Sequence, residues 1–279
     1  MLYSNAKKEA LAIHERAVEK YNVLYEDFQR RGEQLYTMRK SSIAKIIEVE
    51  VLINSIANTP KEFGAKLVEM KAERTAFRQT EEYAAEAYKT AIKSGVGTVA
   101  GAGAGAAVAS LAPTAAMWVA TTFGTASTGT AISALSGAAA TKAALAWLGG
   151  GALAAGGGGV AAGKAILALA GPIGWGIGAG ATAISATVIG VKNKKISKQA
   201  IEEAKEITIA GAKLHEAEAI IAQIYDKTEL LYTNVKEQLL QASSSRGADY
   251  QSLPSERKLL LGTLVNNTTS LAQLLNETV

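Results

Sequence analysis

Apolar side chains recur at helical spacing in both terminal thirds of the chain, and polar side chains nearly vanish from the middle. In the first third the apolar stripe runs Ala17, Tyr21, Leu24, Phe28, Leu35, Met38. It then shifts phase to Ile43, Ile46, Val49, Ile53 and Ile56. Spacings of three and four residues put these positions on one face of a helix, and the phase shift lets the stripe keep its bearing over many turns. Asn58-Thr59-Pro60-Lys61-Glu62 interrupts the pattern. Thr59 suits an N-cap, Pro60 the first helical position, and Glu62 completes a capping box. A second helix is predicted from there, with Phe63, Leu67, Met70, Phe77, Ala84, Tyr88 and Ala91 on one stripe and Gly95 as its cap.

The last third repeats the logic with a seven-residue period. Ile207, Ala210, Leu214, Ala217, Ile221, Ile224, Thr228, Leu231, Val235 and Gln238 form the seam, and eight of these ten are apolar. That is the pattern of a coiled-coil face. Residues 243–256 read as a loop, and Pro254 opens a short terminal helix to about Asn276. The predicted first helix covers about 54 residues, or ~80 Å at 1.5 Å per residue. The fold class expected is all-α: long antiparallel helical arms in a coiled-coil bundle around a Gly/Ala-rich hydrophobic helical region. The seam residues of the two arms are expected to cover each other.

Charge sharpens the division into three. Residues 1–93 carry 16 basic and 14 acidic side chains, and residues 192–279 carry 11 of each. Between them, Ser94 to Val191, stand only Lys142 and Lys164, with 22 of the 27 glycines and all three tryptophans, Trp118, Trp147 and Trp175. The organisation predicted is an N-terminal helical arm (1–93), a hydrophobic membrane-insertion region (94–191) and a C-terminal helical arm (192–279).

The middle contains a G-x-x-x-x-G-K match at Gly158, Gly163 and Lys164. A phosphate-binding loop needs Ser or Thr after its lysine to hold magnesium, and it follows a buried strand. Ala165 stands at that position, after WLGGGALAAGG, so no nucleotide site is expected. A flexible spacer is polar, whereas this tract is Ala, Val, Leu, Ile and Trp between its glycines. Buried helices remain, shielded by protein or by lipid. Runs of 48, 21 and 27 residues carry no charge, and ~20 apolar residues cross a bilayer. Breaks at Pro113, near Lys142 and at Gly156–Lys164 divide the region near 95–111, 114–140, 143–162 and 165–190. Gly97, Gly101 and Gly105 recur every fourth residue, as do Gly159 and Gly163 and then Gly176 and Gly180. Such spacing allows close approach of helix backbones in a membrane. The Thr and Ser side chains between 121 and 136 can bond across helices or line a wet cavity.

Lys89 and Lys93 precede the apolar region, and Lys192, Lys194, Lys195 and Lys198 follow it. They read either as basic membrane edges on one side or as ordinary solvated helix faces. Glycine and alanine give weakly hydrophobic segments, which suits helices shielded in a soluble form and inserted later. The expected location is a membrane, or the cytoplasm as a soluble form that converts. The N-terminus lacks the apolar core of a secretory signal.

Two amphipathic arms around a Gly/Ala-rich hydrophobic hairpin resemble the layout of α-helical pore-forming proteins. The layout is similar to that of the tail-and-head toxins, and the hairpin resembles those of pore-forming colicins and the apolipoprotein L family. Ser127–Gly163 also looks like the glycine-zipper segment of many uncharacterised bacterial proteins. The resemblance implies insertion, oligomerisation and permeabilisation, with a lipid bilayer and further copies or partner helices as partners. A membrane-anchored coiled-coil scaffold and a soluble helical interaction module are the alternatives. Net charge is +4, too little to imply nucleic acid. No cofactor is expected, and no enzyme: there is no cysteine, no GxSxG, and His215-Glu216-Ala217-Glu218 lacks the second histidine of a zinc protease. His14 and His215 are expected on helix surfaces.

Overall fold

A computed structural model describes residues 2–93, 113–124, 126, 130–148 and 189–278. Among them the fold is all-α. Six helices follow in order: α1 (Leu2–Asn54), α2 (Lys61–Lys93), α3 (Pro113–Phe123), α4 (Gly137–Leu148), α5 (Ile189–Ala242) and α6 (Ser255–Gln273). The described residues contain no strand, only an isolated parallel bridge between Ala57 and Asp249. They form two compact units, Met1–Glu33 with Ala84–Ala219 and Gln34–Tyr83 with Ile220–Val279. α1, α2 and α5 each contribute to both.

The second unit is built from helical hairpins. α1 ends where Ser55 and Ile56 bond back to Leu52 and Ile53. Asn58 takes a left-handed φ of 53°, which Asn tolerates better than most residues, and the chain reverses into α2. Arg74 on α2 then grips Glu50 on α1 with two parallel hydrogen bonds, 3.1 and 2.6 Å. α5 and α6 make the other hairpin, through short 3-10 turns at Ser243–Ser245 and Tyr250–Ser252. The two reversals are stitched together: Ala57 N–H donates to Ala248 O and Tyr250 N–H to Ala57 O, both at 2.9 Å. Asn58 Nδ2 donates to Asp249 at 3.0 Å. The pairs Lys66–Asn266 and Glu69–Gln273 advance together along α2 and α6, so these helices run parallel. The reversals at 55–60 and 243–254 make α1 and α2, and α5 and α6, antiparallel neighbours, whereas the expectation was of one arm antiparallel to the other.

The core of this unit follows the stripes. Ile46, Val49, Leu52 and Ile53 of α1, Phe63, Met70 and Phe77 of α2, and Ile221, Ile224 and Val235 of α5 are buried. Arg39 and Ser42 are buried too. Arg39 Nη2 donates to the Glu277 carbonyl at 2.6 Å, and Leu275 beside that residue is fully covered. Burial lowers the Arg39 pKa to about 9, against the favourable charge of Glu277, so the guanidinium stays charged at neutral pH.

Glu81 is a pH-sensitive element of the same unit. Burial pushes its carboxyl up, but the Tyr36 hydroxyl and Lys40 ammonium donate to it, and Lys40 and Arg78 add positive charge. The net result lies below the ordinary carboxylate value; Lys40 Nζ is 2.9 Å away. The folded state therefore binds this proton more weakly than the unfolded chain. Its stabilising share is complete above the unfolded pKa and is lost as pH falls through the folded one. Glu81→Gln is expected to reduce the loss of stability on acidification, measured as the shift in urea midpoint between neutral and acidic buffer. An identical shift in both proteins would show that Glu81 carries none of it.

In the first unit, α1 and α5 run in the same direction. His14 approaches Glu203 at 3.4 Å and Arg31 meets Glu218 at 3.3 Å, while Gly211 faces Tyr21 and Leu24 between them. His14 is 3% exposed, which corrects its expected place on the surface; His215 does lie on the surface. The expected helix over 114–140 is also corrected. α3 ends at Phe123, Gly124 N–H bonds back to Ala120 O at 3.0 Å, and Ile132 N–H returns to Gly124 O at 2.9 Å. A Cβ on Gly124 would stand 2.3 Å from the Ala120 carbonyl oxygen, so this reversal requires glycine. Lys142, expected at a break, is exposed in the middle of α4. Outside the described residues lie the segment near 95–111, most of those near 143–162 and 165–190, and the glycine series 97/101/105, 159/163 and 176/180.

Candidate membrane-active region

The described part of the apolar middle is α3, a 3-10 turn at Ile132–Ala134, and α4. Pro113 opens α3, where a missing N–H costs nothing. From there the sequence offers no polar face: Met117, Trp118, Val119, Ala120, Thr121 and Phe123 are all buried. A helix without a polar face belongs to a core or to a membrane. Trp118 meets Phe123 edge-on, with ring centroids 5.7 Å apart. Thr121, one of the residues read as able to bond across helices, donates to its own helix at Met117 O, 2.9 Å away.

α1 supplies the surface that receives this element. A Cβ built on Gly32 would lie 2.6 Å from a methyl of Val119, so α1 and α3 touch where only a hydrogen fits. α4 presents Ala140, Ala144 and Trp147 as a buried stripe, and Ala139 and Lys142 on its exposed side. Trp147 stands edge-on to Phe28 at 5.1 Å and tilted to Tyr25 at 6.1 Å. Tyr21 stacks on Tyr25 at 6.1 Å, and burial raises the Tyr21 hydroxyl pKa above its ordinary value. Such aromatic pairs add ~0.5–1.5 kcal/mol each beyond the area they bury. α3 and α4 are 11 and 12 residues long, or ~17 Å each at 1.5 Å per residue. No helix among the described residues is long and apolar enough to cross a membrane.

Of the residues singled out in the sequence, Trp118 on α3 and Trp147 on α4 are buried in this unit, and Trp147 meets the rings of α1. Trp175 lies outside the described residues, with Gly97, Gly101, Gly105, Gly159 and Gly163. Lys192, Lys194 and Lys195 lie in α5, and Lys198 is exposed there, 4.0 Å from Glu202. Sequence reasoning missed Gly32. Its signal was a lone glycine inside a charged helical stretch, Arg31-Gly32-Glu33, where it destabilises the helix unless something approaches closely. Among the described residues no group of His, Cys, Asp and Glu could hold a metal ion.

Comparison of the chain with protein families, curated proteins and solved structures finds no match.

Proposed function

We propose that the protein is a membrane-active helical protein, a pore-forming toxin or defence effector that inserts its central helices and oligomerises. The observation that carries this reading is the composition of Ser94–Val191, where two lysines are the only charges. A stretch that long exposes a large apolar surface unless protein or lipid covers it. The cover that α1 gives to Val119 and Trp147 supports a shielded form, from which α3 and α4 leave when the membrane replaces α1 as their solvent. A second reading, a helical interaction module that inserts nothing, is favoured by the shortness of α3 and α4 and by their packing against α1.

Liposomes loaded with a self-quenched dye separate the readings. Dye release supports the pore. Binding without release supports a membrane-anchored scaffold, and neither supports the interaction module. Gly101→Leu sharpens the test, because four-residue spacing would put Gly97, Gly101 and Gly105 near one face of an inserted helix, drifting by about 40° per step. Leucine raises the hydrophobicity of the segment but blocks close helix approach. The expected result is impaired release with retained binding. Undiminished release from both Gly101→Leu and Gly105→Leu would reject close packing on this face.

A further inference from the structure

We propose that the second unit carries a docking groove for an acidic amphipathic helix of a partner protein, lying between α1 and α5. The inference does not rest on membrane activity. Ile47 and Val51 stand one helical turn apart on α1 and are 41% and 51% exposed; Leu240 on α5 is 69% exposed. These three border a groove of about 360 Å³ whose floor includes Leu52 and Leu239, both buried. Apolar walls above a buried apolar floor, between two helices, are what an incoming helix can fill with side chains spaced at i, i+3, i+4 and i+7. A planar bilayer would touch the walls and leave the floor empty.

The rim chooses the charge of the occupant. Lys45 is bound to Glu48 with both carboxylate oxygens at 2.8 Å, so this pair is internally neutral. Lys236 and Arg246 also line the groove, and among the described residues no carboxylate pairs with either. The uncompensated charge of the groove is therefore positive and sits on its α5 side. Lys236 lies on α5, and Arg246 stands just past the 3-10 turn that follows it, so the two cations are spread along that side of the groove. A complementary helix carries carboxylates flanking its apolar stripe. Charge of this kind selects the partner and its orientation, and the apolar contact holds it.

The test uses the full chain and two fluorescein-labelled synthetic helical peptides with the same leucine stripe. One carries glutamates at the two flanking positions, the other lysines. Fluorescence anisotropy is expected to show the glutamate peptide binding about tenfold more tightly, a difference of ~1.4 kcal/mol. Lys236→Glu with Arg246→Glu should invert that order. Leu240→Glu should weaken the glutamate peptide about tenfold or more, since it places a like charge in the apolar contact. Its melting curve should match wild type, because the side chain is exposed. Equal binding of the two peptides, or binding unmoved by Leu240→Glu, overturns the proposal. So does self-association that Leu240→Glu abolishes, which would make the groove a contact between copies. Uptake by phosphatidylglycerol vesicles that Leu240→Glu abolishes, with no peptide bound, overturns it as well and makes the face a lipid contact.

Discussion

Ile221→Asp is expected to destabilise the second unit by several kcal/mol, the largest effect of any single seam substitution. Ile221 is 0% exposed at the centre of the α5 seam. Two costs add. Removing a buried aliphatic side chain leaves unfilled volume, ~2–5 kcal/mol when Ile is cut to Ala. The carboxyl must then stay ionised without a partner or take up a proton, and either choice is unfavourable in an apolar site. Leu230→Asp is the control. Leu230 lies on the same helix in the same unit but is 64% exposed, so its replacement should stay within about 0.5 kcal/mol of wild type. Urea unfolding followed by circular dichroism at 222 nm reads both. A wild-type midpoint for Ile221→Asp would show that the seven-residue seam is not the buried face.

That seam was legible because it depends on period alone. Ile207, Leu214, Ile221, Ile224, Thr228 and Val235 are buried, and the intervening Ala210, Ala217, Leu231 and Gln238 are half-buried. α1 was predicted in the same way, and its stop at Asn54 falls just before the punctuation at Asn58–Glu62. Periodicity failed where the decisive partner is remote. Arg39 interrupts an apolar stripe as a charge should not, and the residue whose carbonyl receives it is 238 positions away. His14 is covered beside Glu203 of α5, again a contact with no local signature. Nor does a single stripe give direction: α1 and α5 could cover each other in either sense, and the ion pairs show that in the first unit they run the same way.

The apolar middle was legible as composition and misread as geometry. Absence of charge over 94–141 gave no internal stop, so the helix was extended through 114–140. The stop comes from a glycine whose missing Cβ admits the Ala120 carbonyl. In a tract with so many glycines nothing local distinguishes that one. Likewise Lys142 read as a boundary because it was the nearest charge. On α4 it lies on the exposed side, opposite a stripe ending in Trp147. An amphipathic helix of small residues needs only one such charge to mark its wet face.

Trp147→Ala is expected to loosen the cover of α4 while leaving the second unit intact. The indole is 6% exposed and packs against the rings of Phe28 and Tyr25 on α1. Cutting a buried Trp to Ala costs ~3–5 kcal/mol, and here the loss falls on the contact between α4 and α1. α4 is only 12 residues long, too short to be helical in isolation, so its order depends on its packing, against α3 as well as through these rings on α1. Hydrogen exchange should therefore rise selectively over residues 137–148, with amides of Gln34–Tyr83 unchanged. If α1 shields the apolar middle as proposed, the same variant should also enter liposomes faster than wild type. Phe28→Ala removes the other side of the contact and should act in the same direction. Faster exchange without faster insertion would leave Trp147 a packing residue of the first unit and separate the folding of α4 from any membrane step. Unchanged exchange over 137–148 in both variants would show that α4 is not held by these rings.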